Sequence, residues 1–237
     1  MAMWSIIRGF RMTIDHLTIW NRFCDRFEIS TSCIPLFELT DSWHVLTKEI
    51  GHNNRKVLRR SQEMEELICR EVDILVEDWS NNTDEYDGAI YMMFRRDGDN
   101  VLPLYIGKAE TIGKGDRNLS ANIKNLHNDQ SKFARWGDNY AYHFGDLSAV
   151  VLPGHDRKKV TNKYIGWAKS LFVDYPSASP KLKKPIYFWM KAWRRDEVGI
   201  WEDFGQTRLT FLEYLLIGVA SSVFPKDLLN IEGQNRG

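Results

Sequence analysis

Two short apolar runs flanking a tight-turn sequence constrain this chain most. Residues 88–94 are rich in apolar and aromatic side chains, residues 101–106 form a second apolar run, and Asp97-Gly98-Asp99-Asn100 between them supplies turn chemistry. Together they read as a β-hairpin.

The rest of the pattern places helices before the hairpin and a mixture after it. Ile7, Phe10, Ile14 and Leu17 keep helical spacing near the start, and over residues 59–79 the positions Met64, Leu67, Ile68, Val72, Ile74, Leu75 and Trp79 recur mostly three and four apart. The polar cluster Ser80-Asn81-Asn82-Thr83-Asp84 ends that second helix and marks a boundary. Residues 1–85 are therefore expected to form a helical N-terminal region and 86–237 a second domain. Within the latter, residues 118–126 read as a short helix that Asn118 caps, 140–152 as a strand, 160–171 as a helix, 185–193 as a strand, and 210–223 as a very apolar helix stopped by Pro225. The expected class is α+β, a small antiparallel sheet flanked by helices, with an N-terminal helical region.

Composition excludes little else. The 237 residues are 43% hydrophobic and 27% charged, which suits a globular chain. Arg8, Arg11, Asp15, Arg22 and Arg26 break up the N-terminal apolar pattern, so neither a membrane span nor a secretory signal is expected and a cytoplasmic location is. Cys24, Cys33 and Cys69 show no metal-ligand spacing and read as free thiols. A net charge of zero hides an asymmetry: residues 1–85 hold 10 basic against 15 acidic side chains, and the remainder 22 against 17. The modestly basic part suits a polyanionic partner, and the acidic part argues against broad DNA contact.

The hairpin carries Gly88-Ala89-Ile90-Tyr91 on its first strand and Tyr105-Ile106-Gly107-Lys108 on its second. This pairing resembles the GIY-YIG nuclease family, in which two such tripeptides lie on adjacent strands and a carboxylate arrives later on a helix. The second tripeptide is intact; in the first, Ala89 separates the glycine from Ile90-Tyr91. A further copy, Tyr164-Ile165-Gly166, lies within helical spacing without a partner strand and is set aside. Glu213, inside the apolar helix, resembles the family's metal-binding glutamate, and Pro225 and Asn230 follow it, with Asn235 as a second asparagine. The resemblance implies that Glu213 anchors Mg²⁺ or Mn²⁺, that Tyr91 is the general base and that Tyr105 orients the attacking water. It places Lys108 to add positive charge, and Arg117 or Arg135 to grip phosphate, with Arg117 favoured for its position just before the expected helix. Lys124 is a third possibility that lacks the bidentate fork. His127 and His143 are possible proton carriers, and Gly113-Lys114-Gly115 could bring backbone N–H groups near a phosphate.

These residue types match what hydrolysis requires. A phosphodiester repels nucleophiles with its anionic oxygens, so an enzyme must deprotonate water and neutralise charge that develops on phosphate and leaving group. A hard cation held by few protein oxygens meets the second need. Tyrosine, with an ordinary pKa of about 10, needs help to serve as a base. Residues 186–193, flanked by Lys181, Lys183, Lys184, Arg194 and Arg195, mix aromatic and basic residues either as a nucleic-acid surface or as a packed strand. The expected activity is a Mg²⁺- or Mn²⁺-dependent DNA endonuclease, with DNA and a second copy of the chain as partners and no membrane. The rival expectation is a non-catalytic nucleic-acid-binding protein, and a more distant one a helical structural protein.

Overall fold

The computed structural model describes residues 15–113 and 118–234. The hairpin forms as its turn chemistry dictates: β3 (Tyr86–Asp97) and β4 (Asn100–Glu110) pair antiparallel, and Gly98 takes the positive φ that the tight connection needs. β5 (Tyr187–Arg194) pairs antiparallel with the other side of β3, so the sheet runs β4-β3-β5 and leaves β4 at an edge. Ahead of it come α1 (His16–Arg26), the small ribbon β1 (Thr47–Ile50) and β2 (Arg55–Leu58), and α2 (Gln62–Asn81). After the hairpin follow α3 (His143–Val151), α4 (Asn162–Leu171) and α5 (Leu209–Val223).

Alternation along the central strand divides the core in two. Ala89, Tyr91 and Met93 face one side and pack with residues of α2, α3 and α4; Ile90, Met92 and Phe94 face the other and pack with α1 and α5. The protein is thus an α+β fold of two small antiparallel sheets, the larger one covered by helices on both faces. Residues from both sides of position 86 contribute to each core. No helix among the described residues is long and apolar enough to cross a membrane.

Several local expectations change. The spacing at Ile7, Phe10 and Ile14 lies outside the described residues, and α1 carries Leu17 near its start. The first 85 residues are less helical than their pattern predicts, because β1 and β2 are short, mostly polar strands joined through Gly51 and Asn54, both at positive φ. Residues 140–152 hold a helix, not a strand: every residue of α3 is buried, and a helix covered on all sides loses the polar stripe that would betray its period. Residues 118–126 form a string of turns rather than a helix. Asn118, Asn122 and Asn125 recur there, Ser120 Oγ accepts the Asn122 N–H, and such side chains compete with helical hydrogen bonding. By contrast α2 is capped as its sequence demands, with Ser61 Oγ accepting the Met64 N–H at 3.0 Å and Asn82 ending it in the left-handed conformation.

Candidate active cleft

The two tripeptides meet through one close contact. Tyr91 and Gly107 are cross-strand partners, and the Tyr91 ring lies over Gly107 so closely that a Cβ there would sit 2.6 Å from the Tyr91 hydroxyl. Tyr105 emerges from the same face of β4, its ring centroid 6.4 Å from that of Tyr91. The start of α3 brings His143 against both. Its Nε2 lies 3.1 Å from Tyr91 Oη and its Nδ1 2.9 Å from Tyr164 Oη. Trp136 and Trp167 both pack on the imidazole, with centroids at 4.6 and 5.2 Å.

Burial, then the charges of Lys163 and Arg135, holds the His143 pKa well below its ordinary value, so the ring is neutral. One nitrogen then donates and the other accepts, which gives the Tyr91–His143–Tyr164 chain a single direction at any moment. The Tyr91 hydroxyl is buried, and burial followed by the neighbouring Tyr105 pushes its pKa far up. That makes Tyr91 a poorer base than a free tyrosine. Tyr164, set aside on its sequence, is part of this chain; burial and Asp146 raise its pKa too.

The wet half of the arrangement opens at the β4 edge. A cleft of about 290 Å³ is lined by Tyr105, Lys163 of α4, Glu213 of α5, and Asn230 and Glu232 of the C-terminal segment. Lys163 Nζ donates to Tyr105 Oη at 3.1 Å and sits 4.5 Å from the ring centroid. Burial, then the Arg135 charge, lowers the Lys163 pKa to about 8, while burial, then Glu213, raises Tyr105 to about 12. Glu213 is itself raised, first by burial; Lys108 and Lys163 pull it down, and Glu110 and Glu232 push it up. Among the described residues its carboxylate makes no hydrogen bond and no ion pair.

Of the remaining residues singled out on sequence, Arg135 is brought to the site: its charge acts on Tyr91, Tyr105, His143 and Lys163. It is exposed, has no ion-pair partner among the described residues, and follows Ala134 at positive φ with a φ of 77° of its own. Two consecutive non-glycine residues in that region are a local strain of the sort that clusters at working sites. Lys108 faces the opposite side of the sheet, where its ammonium pairs with Glu110 and donates to Thr210 at 2.7 Å. Asn230 has no free amide: Oδ1 accepts the Ile106 N–H at 2.9 Å and Nδ2 donates to the Ile106 carbonyl at 2.8 Å. It closes the edge of β4 with its amide while also lining the cleft. His127 is not in the cleft; it bonds Asp73 at 2.7 Å beside α2, in a groove that also contains Lys124. Arg117, Lys114, Gly115 and Asn235 lie outside the described residues. Ile186, Phe188, Trp189, Met190, Ala192 and Trp193 are all buried, so β5 is a packed strand and not an aromatic docking surface.

No protein-family model, curated protein or solved structure matches this chain. Its functional reading rests on this geometry and on the motif resemblance. Lys163, Glu232 and the relay through Tyr164 were not legible as site residues, since nothing in their local sequence places α4 or the C-terminal segment at the β4 edge.

Whether the cleft suits a divalent cation can be judged from its donors. Among the described residues no cluster of three or more His, Cys, Asp or Glu side chains is poised around one point. Mg²⁺, however, is commonly held by one or two carboxylates plus waters and substrate phosphates, and Glu213 with Glu232 supplies that donor set in a single cleft.

Proposed function

We propose that this chain is a metal-dependent endonuclease of the GIY-YIG type that hydrolyses DNA phosphodiester bonds. The observation that carries the reading is the meeting of Tyr105, Lys163 and Glu213, from an edge strand and two helices on opposite faces of the sheet, in one cleft. Glu213, with Glu232 beside it, would hold Mg²⁺ or Mn²⁺, which when bound neutralises phosphate charge and acidifies water.

The chain's own residues divide the remaining work. Tyr105 accepts from Lys163, which leaves its own O–H free to donate to an attacking water or a phosphate oxygen. Arg135 offers a guanidinium without an ion-pair partner among the described residues, and its fork matches phosphate. The proton of the attacking water needs an acceptor near neutral pH, and Lys163, held to about 8, meets that need better than the buried Tyr91. Tyr91 and His143 then act by holding Tyr105 and the strand pair in register.

Burial of Tyr91 also favours a second reading, in which the cleft binds nucleic acid without cutting it. Nicking of supercoiled plasmid in Mg²⁺, Mn²⁺ and EDTA decides between them. The endonuclease nicks only with metal, and Glu213→Gln lowers the rate at least about 100-fold, the scale of losing one charge-stabilising group. Equal nicking by Glu213→Gln, or nicking undiminished in EDTA, refutes the assignment, and metal-independent DNA binding without nicking supports the second reading.

A further inference from the structure

A second basic feature lies away from the cleft. The acidic excess of the N-terminal region is unevenly placed: Glu63, Glu65, Glu66, Glu71, Asp73 and Glu77 all belong to α2. The β1–β2 ribbon carries Arg55 and Lys56, and a single 3₁₀ turn at Arg157–Lys159, far along the chain, adds three more cations. Among the described residues none of Arg55, Lys56, Arg157, Lys158 and Lys159 has an ion-pair partner, and all but the half-buried Arg55 are exposed.

Beside the ribbon lies an open trough of about 630 Å³, lined by the ribbon turn from Ile50 to Lys56 and by Asn139, Tyr140, Gly154 and His155, the last of which stands two residues before the 3₁₀ turn. Tyr140 lies between the two sources of charge, with the Arg55 guanidinium 4.3 Å and the Lys159 ammonium 5.2 Å from its ring centroid. His155 fixes it there. Its Nε2 is 2.8 Å from the Lys56 carbonyl, which can only accept, so Nε2 carries the hydrogen and Nδ1 accepts from the Tyr140 hydroxyl at 3.0 Å. A rigid ring flanked by cations, with the polar ribbon turn beside it, is chemistry suited to a sugar–phosphate strand rather than to an apolar ligand.

The trough and the cleft share no lining residue, but a short stretch of chain links their borders. Lys159 precedes Lys163 by four residues, a reach of at most about 14 Å, or about four base steps of duplex rise. We infer that the β1–β2 ribbon and residues 155–159 form a binding site for the backbone of duplex DNA, gripping the strand that continues past Lys163. This deepens the endonuclease reading and rests on it for the choice of DNA; the surface itself stands on its own geometry.

The test is fluorescence anisotropy with a labelled 30-base-pair duplex, in EDTA so that binding is measured without cleavage, across a range of salt. The triple variant Lys56→Ala/Lys158→Ala/Lys159→Ala is compared with Arg22→Ala/Lys169→Ala/Lys226→Ala, which removes the same charge from exposed positions elsewhere on the surface. Three lost phosphate contacts reduce the slope of log K against log salt by about 2.7, and with an unchanged intercept at 1 M weaken binding about 500-fold at 0.1 M salt. The comparison variant changes far less. Equal losses in the two variants, a wild-type slope in the first, no duplex binding by the wild type, or equally tight binding of polyglutamate would overturn the assignment. Plasmid nicking separates this from the hydrolytic reading. A trough variant that loses DNA affinity in a protein that never nicks leaves the surface standing and removes the hydrolysis; nicking with unimpaired binding by the trough variant does the reverse.

Discussion

Replacing Gly107 by alanine tests why the two tripeptides occur together. The added Cβ would lie 2.6 Å from Tyr91 Oη and 2.7 Å from Cε2 and Cζ, where ordinary contact begins at 3.4 Å, so something must move by 0.8 Å. Tyr91 cannot swing aside without cost. It is fully packed, with Trp136 and Phe188 at centroid distances of 5.4 and 6.2 Å and its hydroxyl bonded to His143. Overpacking of this kind costs about 1–3 kcal/mol, and losing the Tyr91–His143 hydrogen bond adds about 1, so Gly107→Ala is expected to destabilise by about 2–4 kcal/mol. Urea unfolding followed by tryptophan fluorescence measures it. The cause is isolated in a Tyr91→Leu background, where no ring stands over position 107 and the same substitution should cost under about 1 kcal/mol, a coupling of at least about 1. Equal costs in the two backgrounds would show that strand conformation, not the tyrosine ring, is what demands glycine.

Two further predictions concern the same framework. Asn230→Ala strips the buried Ile106 N–H and carbonyl of their partners and should cost about 2–4 kcal/mol in the same assay; a loss under about 0.5 would mean that water replaces the amide and that the C-terminal segment is not needed to close the edge. His143 has a folded pKa below its unfolded one, so the unfolded chain takes up a proton that the native protein refuses: stability is complete above about pH 6.5 and falls as pH drops below it, by up to about 1.4 kcal/mol per unit. His155 is shifted in the same direction and adds to that slope. Urea midpoints between pH 7.5 and 5 should therefore fall less steeply for His143→Gln than for the wild type, and parallel slopes would count against a neutral buried imidazole.

What could be read from the sequence was what one element's own pattern determines. The hairpin, α2, α4, β5 and α5 keep either a turn signal or a one-sided apolar stripe, because each buries one face or is bounded by clear punctuation. α3 is buried all round and carries no such stripe, while β1 and β2 are too short and polar to announce themselves. The site shows the same division. Tyr105 and Glu213 stand within recognisable patterns, whereas Lys163 gains its lowered pKa only because folding buries it against Tyr105 and near Arg135. The residues 164–166 illustrate the limit well. Their helical spacing sets them aside as a strand motif, and nothing in that spacing shows that α4 packs Tyr164 against His143.

The cross-strand contact also reassigns the weight of the motif. Since Gly107 is needed to admit the Tyr91 ring, finding both residues together follows from packing alone, and the hydrolytic reading has to be carried by the wet half of the arrangement. Charge makes that half informative. Lys163 and the nearby Arg135 are offset by Glu213 and Glu232, and Lys108 on the other side of the sheet is offset by its partner Glu110, which leaves no net positive charge to receive a phosphodiester. Two of the carboxylates line the cleft itself, and a phosphate approaching them meets repulsion that the half-buried surroundings screen less than bulk water would. A divalent cation bound between carboxylate and phosphate reverses that balance, so on the proposed reading metal governs the approach of substrate to this cleft as well as its hydrolysis. The trough beside Tyr140 has no carboxylate among its lining residues, and on the proposed reading it can hold DNA without the metal.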